Sequence, residues 1–219
     1  IFLEEPYKLA TSPNGNGGWF SSLKNAGLLD LIHENGIEWL NVFAVDNVLQ
    51  RIADPCFIGA TITENRSVGA KVVCKNHPDE KVGVMCLKDN HPSIVEYYEL
   101  TPELRDAVDE DGEPAYNFGV ILNYLFKESE LEDICENTLP LHIVEKKIPY
   151  IDDAGTLIKP EEPNGYKFET LILDMIQMMD TCLPFEVERD KEFAPIKNKT
   201  GIDSVESARA LLAKYGVTL

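Results

Sequence analysis

Apolar residues fall at helical spacing directly after a glycine-rich stretch near the start of the chain. Phe20, Leu23, Gly27 and Leu31 share one face, which predicts a single helix ending near Asn35-Gly36. Residues 37–45 are nearly continuously apolar, as in a strand covered on both faces and central in its sheet. Asp54-Pro55 supplies an N-cap and first-turn proline for a helix reaching about Glu64. Three short strands at 70–74, 82–87 and 94–100, punctuated by Pro78, Asp89-Asn90 and Pro92, read as an antiparallel meander. Thr101-Pro102-Glu103 starts a short helix. A turn at 109–114, a strand at 116–121 and a helix at 122–135, broken near Ser129, are expected next. Residues 138–165 are rich in proline and glycine and predict a loop-rich excursion with a short strand at 148–151. Phe168, Leu171, Ile172, Met175 and Met179 share one face of an expected helix at 167–180. A last strand at 185–188 and a helix capped by Asp203 with Glu206, ended by Gly216, complete the chain. Residues 1–4 read as an entering strand. Strands alternating with helices predict an α/β fold with a mixed sheet, helices on both its faces and a small antiparallel β excursion.

Composition narrows the function. At 219 residues with 44% hydrophobic content, the chain can bury a sizeable core. Its formal net charge of −18 argues against nucleic acid, which needs basic surface, and against anionic membranes. An anionic small ligand then needs local lysines or a metal ion. The five cysteines lack any C-x-x-C pairing, which points to free thiols in a reducing compartment and away from zinc. No run approaches ~20 apolar residues, so no membrane span is expected. The chain opens Ile1-Phe2-Leu3 without a starting Met or signal-peptide pattern, as if inside a strand.

Candidate chemistry sits at a few places. Pro13-Asn14-Gly15-Asn16-Gly17-Gly18 reads equally as a tight turn or as a ligand cradle at the start of a helix. Asp46-Asn47 follows the apolar strand, where α/β folds place ligands; the aspartate suits Mg²⁺ on phosphates, the alternative being a plain turn. Strand alternation places Glu96 with Tyr98 on one face, either for sugar hydroxyls or simply solvated. Lys167, and Lys197 in Phe193-Ala194-Pro195-Ile196-Lys197-Asn198, are phosphate candidates against the ordinary surface reading, with Lys71, Lys146 and Lys147 weaker. The four histidines lack metal spacing or a nucleophile partner, and no catalytic role falls to them.

Taken in order, these pieces resemble the eukaryotic UDP-N-acetylglucosamine pyrophosphorylases. The resemblance rests on Asn14-Gly15-Asn16-Gly17-Gly18, Val45-Asp46-Asn47-Val48-Leu49 and Ala53-Asp54-Pro55-Cys56-Phe57-Ile58-Gly59. It continues through Gly69-Ala70-Lys71-Val72-Val73, Val82-Gly83-Val84-Met85-Cys86, Val95-Glu96-Tyr97, Lys146-Lys147-Ile148-Pro149-Tyr150, Lys159-Pro160, Pro163-Asn164-Gly165 and 192–198. One such motif is weak; the ordered series is specific and covers essentially the whole chain. It implies a Rossmann-like nucleotidyltransferase of the cytoplasm. Such an enzyme joins UTP and N-acetylglucosamine 1-phosphate into UDP-N-acetylglucosamine and pyrophosphate with Mg²⁺.

The resemblance also implies roles. Gly15 lies by uracil and Asn16 by the sugar side of the nucleotide. Asp46 meets phosphates and metal, Gly83 the N-acetyl group, Glu96 and Tyr97 the sugar, and Lys167 and Lys197 phosphates, with Lys197 and Asp46 catalytic. The family's glycine-rich triphosphate loop lies before the uridine loop. Residues 1–219 are therefore expected to be the middle and rear of a catalytic domain, inactive without the upstream segment. Val120 stands where the family has an asparagine for the acetamido group. Leu171 and Leu173 replace two aromatics, and Asn14 stands where aspartate is common. These departures leave open a broader or plain-hexose 1-phosphate preference, and a non-catalytic UDP-sugar-binding relative is a further alternative.

Overall fold

The computed structural model describes residues 2–135 and 137–217. Of the expected strand at 1–4, Ile1 lies outside them. The chain opens with a hairpin of β1 (Leu3–Glu5) and β2 (Lys8–Leu9), followed by α1 (Trp19–Asn25) and α2 (Leu28–Glu34). The single helix expected here is two, because Gly27 takes a left-handed φ of 71° that an α-helix cannot contain. Then come β3 (Trp39–Phe43), α3 (Pro55–Thr63), β4 (Val68–Cys74), β5 (Val84–Lys88) and β6 (His91–Val95). As expected, Asp54 caps α3, its carboxylate accepting from Cys56 N at 3.1 Å. Asp89 and Asn90, both at positive φ, turn β5 into β6.

Beyond the hairpin lie α4 (Pro102–Arg105), capped by Thr101, then β7 (Phe118–Lys127) and α5 (Glu128–Ile134). The helix expected from 122 is strand as far as Lys127. Its run Ile-Leu-Asn-Tyr-Leu-Phe is apolar on both faces because β7 crosses the sheet centre, and periodicity cannot distinguish that from a buried helix. Next are β8 (His142–Lys146), β9 (Tyr150–Ile151), β10 (Leu157–Ile158) and β11 (Gly165–Glu169). The chain ends with α6 (Ile172–Gln177), β12 (Cys182–Glu186), α7 (Arg189–Glu192) and α8 (Val205–Lys214). The expected helix at 167–180 is thus β11 followed by α6. Its first residues pair with β8, and Thr170 bridges to Gly15. Ser204, not Asp203, caps α8, in a capping box with Ser207.

The chain forms two compact units, Ile1–Leu31 with Cys135–Met175, and Ile32–Ile134 with Ile176–Leu219. The first contains the β1–β2, β8–β11 and β9–β10 ladders. The second is a six-stranded mixed sheet in the order β12-β4-β7-β5-β6, with β3 also on β7. β12 runs parallel to β4, and the other pairs are antiparallel. The expected meander is therefore broken, since β7 lies between β4 and β5. Val68, Ala70, Val72, Tyr124 and Phe126 form its buried centre with Phe57 of α3. Burial of such side chains contributes about 1.5–3 kcal/mol each for the larger ones. The expected central position of 37–45 belongs instead to β4 and β7. β3 is half-buried throughout and laddered among the described residues only to β7.

Candidate active site

In the first unit the glycine loop is fastened to the segment between β11 and α6. Thr170 N donates to Asn14 O and Gly17 N to Thr170 O, both at 2.9 Å. Gly15 sits at φ 84°, and a Cβ on it would lie 2.2 Å from Thr170 O, so no side chain fits. Asn16 Oδ1 accepts from Ile172 N at 2.9 Å, tying the loop to the start of α6. That leaves the two N–H groups of its amide for a ligand. Lys167 stands on β11 rather than before a helix, with its ammonium on Glu169 of the same strand face. Lys146, Lys147 and Lys167 line a cavity of about 550 Å³ with Tyr166 and Phe168. In so acidic a chain, Lys146 and Lys147, beside a Lys167 shared with Glu169, make an anion-attracting wall.

In the second unit β7 changes partner along one edge. Its far half pairs with β3, and Gly119 with Val84 of β5. At the changeover Leu122 takes φ 50°, Ala44 N donates to Leu122 O, and Val120 N donates to Gly83 O, both at 2.9 Å. The loop carrying Asp46 leaves the sheet where the segment carrying Gly83 arrives. An Asn41–Asn123–Gln50 network holds this loop from below. Asn41 Nδ2 donates to Asn123 Oδ1 at 2.8 Å, Asn123 Nδ2 to Gln50 Oε1 at 2.6 Å, and Ala53 N to Asn41 Oδ1 at 2.9 Å.

Asp46 and Lys197 are brought together. Ile196 N donates to Asp46 O at 2.9 Å, and Lys197 N to Asp203 O at 2.8 Å. Asn47, buried, clamps the two segments: its Nδ2 donates to Glu192 O at 2.7 Å and its Oδ1 accepts from Ala194 N at 2.8 Å. The sequence marked Asn47 only together with Asp46 after the apolar strand; its clamp depends on residues about 145 positions away, and only its turn toward Leu49 N is local. Among the described residues neither the half-buried Asp46 carboxylate nor the exposed Lys197 ammonium has a side-chain partner. Two opposite, unspent charges on backbone-bonded segments suit a ligand that carries both phosphate and metal.

Gly83, Val120 and Glu96 form a corner. A Cβ on Gly83 would lie 3.4 Å from Val120 Cγ2 and 3.8 Å from Glu96 Cδ. The expected strand alternation of Glu96 and Tyr98 does not hold, because β6 ends at Val95 and residues 96–99 turn, Glu99 N donating to Glu96 O at 2.9 Å. Tyr97, exposed, packs edge-on to Tyr98 at 5.2 Å.

Other candidates lie elsewhere. Lys71 is fully buried between Asp54 and Glu192 and reaches no ligand. Burial pushes the Asp54 carboxyl up, but the Lys71 hydrogen bond and charge outweigh it and hold it below its usual value. His33 Nε2 lies 3.0 Å from Glu128 and 3.4 Å from Glu132, and His142 Nε2 lies 2.8 Å from Asp174. All five cysteines are free, as their spacing predicts. No helix among the described residues is long and apolar enough to cross a membrane.

Residues 3–215 match the family described as UTP–glucose-1-phosphate uridylyltransferase. The chain belongs to this family. It is 41% identical over 97% of its length to mouse UDP-N-acetylhexosamine pyrophosphorylase-like protein 1 and 37% identical to the UDP-N-acetylglucosamine pyrophosphorylase of Saccharomyces cerevisiae. It spans only 43% and 47% of those two relatives. A solved structure assigned as a UDP-N-acetylglucosamine pyrophosphorylase from Entamoeba histolytica matches at TM-score 0.90 and 35% identity, over 98% of this chain and 54% of that one. The mixed α/β architecture is therefore that of the uridylyltransferase family.

Proposed function

We propose that this chain is the middle and rear part of the catalytic domain of a cytoplasmic uridylyltransferase. Its reaction joins UTP and N-acetylglucosamine 1-phosphate into UDP-N-acetylglucosamine and pyrophosphate. The observation that carries the reading is the pair of unspent charges, Asp46 and Lys197, on segments joined by Ile196 N on Asp46 O, in the same unit as the Gly83–Glu96–Val120 corner. The names of the uridylyltransferase relatives support the substrate class.

In the reaction a phosphate oxygen of the sugar 1-phosphate attacks the α-phosphorus of UTP, and the bond to pyrophosphate breaks. No covalent nucleophile is needed, so the protein's contribution is positioning and charge neutralisation. Lys197 meets the phosphate charge that builds at the reacting centre. In the first unit Gly15 brings bare backbone to the uracil, Asn16 offers its amide N–H groups, and Lys167 adds a cation for phosphate. In the second, Glu96 accepts from sugar hydroxyls, Tyr97 flanks the sugar, and Gly83, too closely met by Ile94 and Val120 to carry a side chain, brings bare backbone to the acetamido group. A half-buried carboxylate without protein donors fits Mg²⁺, which is held through one or two carboxylates plus phosphates and water. Bound at Asp46, Mg²⁺ would neutralise phosphate charge.

The test is pyrophosphate release by the full-length protein from UTP with N-acetylglucosamine 1-phosphate and Mg²⁺. Lys197→Ala should lower turnover by two to three orders of magnitude, since a charged contact at the reacting centre contributes roughly 3 kcal/mol. Its unfolding midpoint should barely move. No release by the wild-type protein refutes the reading, and wild-type turnover in Lys197→Ala returns that residue to the surface.

A further inference from the structure

Lys71 lies in β4, every residue of which but the last is buried, and its side chain is 0% exposed. Its ammonium donates to Asp54 Oδ2 at 3.0 Å and to Glu192 Oε2 at 2.5 Å. Arg51 approaches the same two carboxylates from the solvent side, 3.6 Å from Asp54 Oδ1 and 3.6 Å from Glu192 Oε1. Two cations and two carboxylates balance, so the buried ammonium is paired on both sides.

The two carboxylates belong to the two segments that carry the candidate site. Asp54 ends the loop that begins with Asp46, and it also caps α3. Glu192 ends α7, five residues before Lys197. Above Lys71 the segments are joined by Asn47 through Glu192 O and Ala194 N. At the tip they are joined by Ile196 N on Asp46 O. Lys71 is the charged base of this ladder. A buried ion pair adds little stability over well-packed apolar side chains, so it is a poor core filler but a good means of fixing one spacing.

We propose that Lys71 is a positioning residue: held between Asp54 and Glu192, it sets the spacing of Asp46 and Lys197 and acts on the transfer step through Lys197, without touching substrate. The inference rests on the uridylyltransferase reading, but its test has a readout independent of turnover. The variants, made in the full-length protein, are Glu192→Gln and the triple Lys71→Met/Asp54→Asn/Glu192→Met, which leaves only the exposed Arg51 charged. Asparagine retains the cap of α3 in the triple. For each, kcat, KM, the thermal midpoint and amide hydrogen exchange at Ile196 and Lys197 are measured, with and without Lys197→Ala.

The expected result is a folded protein with faster exchange at Ile196 and Lys197. Its kcat should fall by tenfold to about a hundredfold, the usual consequence of a misplaced reacting group, with a smaller change in KM. In the Lys197→Ala background the same changes should lower kcat less than about twofold, because the group being positioned is gone. Equal fractional losses in both backgrounds would make Lys71 merely structural, as would full turnover or wild-type exchange in a folded variant. If the triple fails to fold, Glu192→Gln decides by the same criteria. If the wild-type protein releases no pyrophosphate, the uridylyltransferase reading has failed, and exchange at Ile196 and Lys197 alone decides whether Lys71 fixes the two segments.

Discussion

Gly15→Ala separates the conformational demand of the glycine loop from its packing demand. The φ of 84° costs a residue with a Cβ about 1–2 kcal/mol. The new Cβ also meets backbone that cannot swing away: Thr170 O at 2.2 Å and Thr170 N at 3.1 Å. Relief means separating the loop from Thr170 and losing the bonds Thr170 N to Asn14 O and Gly17 N to Thr170 O. At about 0.5–1.5 kcal/mol each, these bring the total to roughly 2–5 kcal/mol. Gly27→Ala is the control, because Gly27 has φ 71° with nothing within 4 Å of its Cβ position. It should cost only the conformational part, about 1–2 kcal/mol. Amide hydrogen exchange at Gly17 and Thr170 in the full-length protein reads the local opening energy, and urea midpoints read the rest. Gly15→Ala should speed exchange at both amides and weaken UTP binding; Gly27→Ala should do neither. Equal costs for the two substitutions, with unchanged exchange at Thr170, would refute the argument that backbone contact dictates Gly15.

The Asp54 carboxyl is held below the unfolded value of about 3.9, so its stabilising contribution is present above that pH and is lost as pH falls through its folded value. Asp54→Asn should therefore flatten the decline of the thermal midpoint below about pH 4; an unchanged acid limb would rule the group out. Val120 offers no hydrogen bond to an acetamido group, so Val120→Asn should raise discrimination between acetylated and plain sugar 1-phosphates by about 1–3 kcal/mol. Unchanged kcat/KM ratios would mean that position 120 does not touch the sugar. Burial pushes the Cys182 thiol up to about 12, whereas Cys56 is exposed. Mass spectrometry after thiol alkylation at pH 8 should find Cys56 modified well before Cys182, and the reverse order would contradict the burial.

Turn and cap chemistry was legible at three places because it is local, although the cap of α8 fell one residue on, at Ser204. Asp54-Pro55, Thr101-Pro102 and Asp89-Asn90 each specify their own few residues, and each stands where the sequence places it. Partner-dependent features were not. Residues 122–127 have no local reason to be strand; they are strand because β4 lies along one edge and β3 along the other. Residues 167–169 belong to a strand because β8 pairs with them, and their match to the helical stripe of α6 is fortuitous. At the site, the motif series named Asp46 and Lys197, and their adjacency became visible only through Asn47 and Ile196. The bond from Ile172 N to Asn16 could not be read from spacing, since it depends on how the β11–α6 corner folds back, and the Lys167–Glu169 pair was hidden by reading these residues as helix when they share a strand face.

The pairing of β3 also has a cost in time. Trp39 meets Lys127 and Phe43 meets Asn123, so during synthesis β3 waits for a strand made much later. At about 5–20 residues per second, a gap of roughly 80 residues lasts about 4–16 s. Throughout that interval Trp39, Leu40, Val42 and Phe43 form an apolar strand with neither edge occupied by β7, a segment suited to pairing with its own copies on neighbouring ribosomes. β4 waits longer still for its parallel partner, since Val68 pairs with Cys182. Translation speed between Phe43 and Phe118 thus governs how many chains reach the native sheet. A pause there lengthens the exposure.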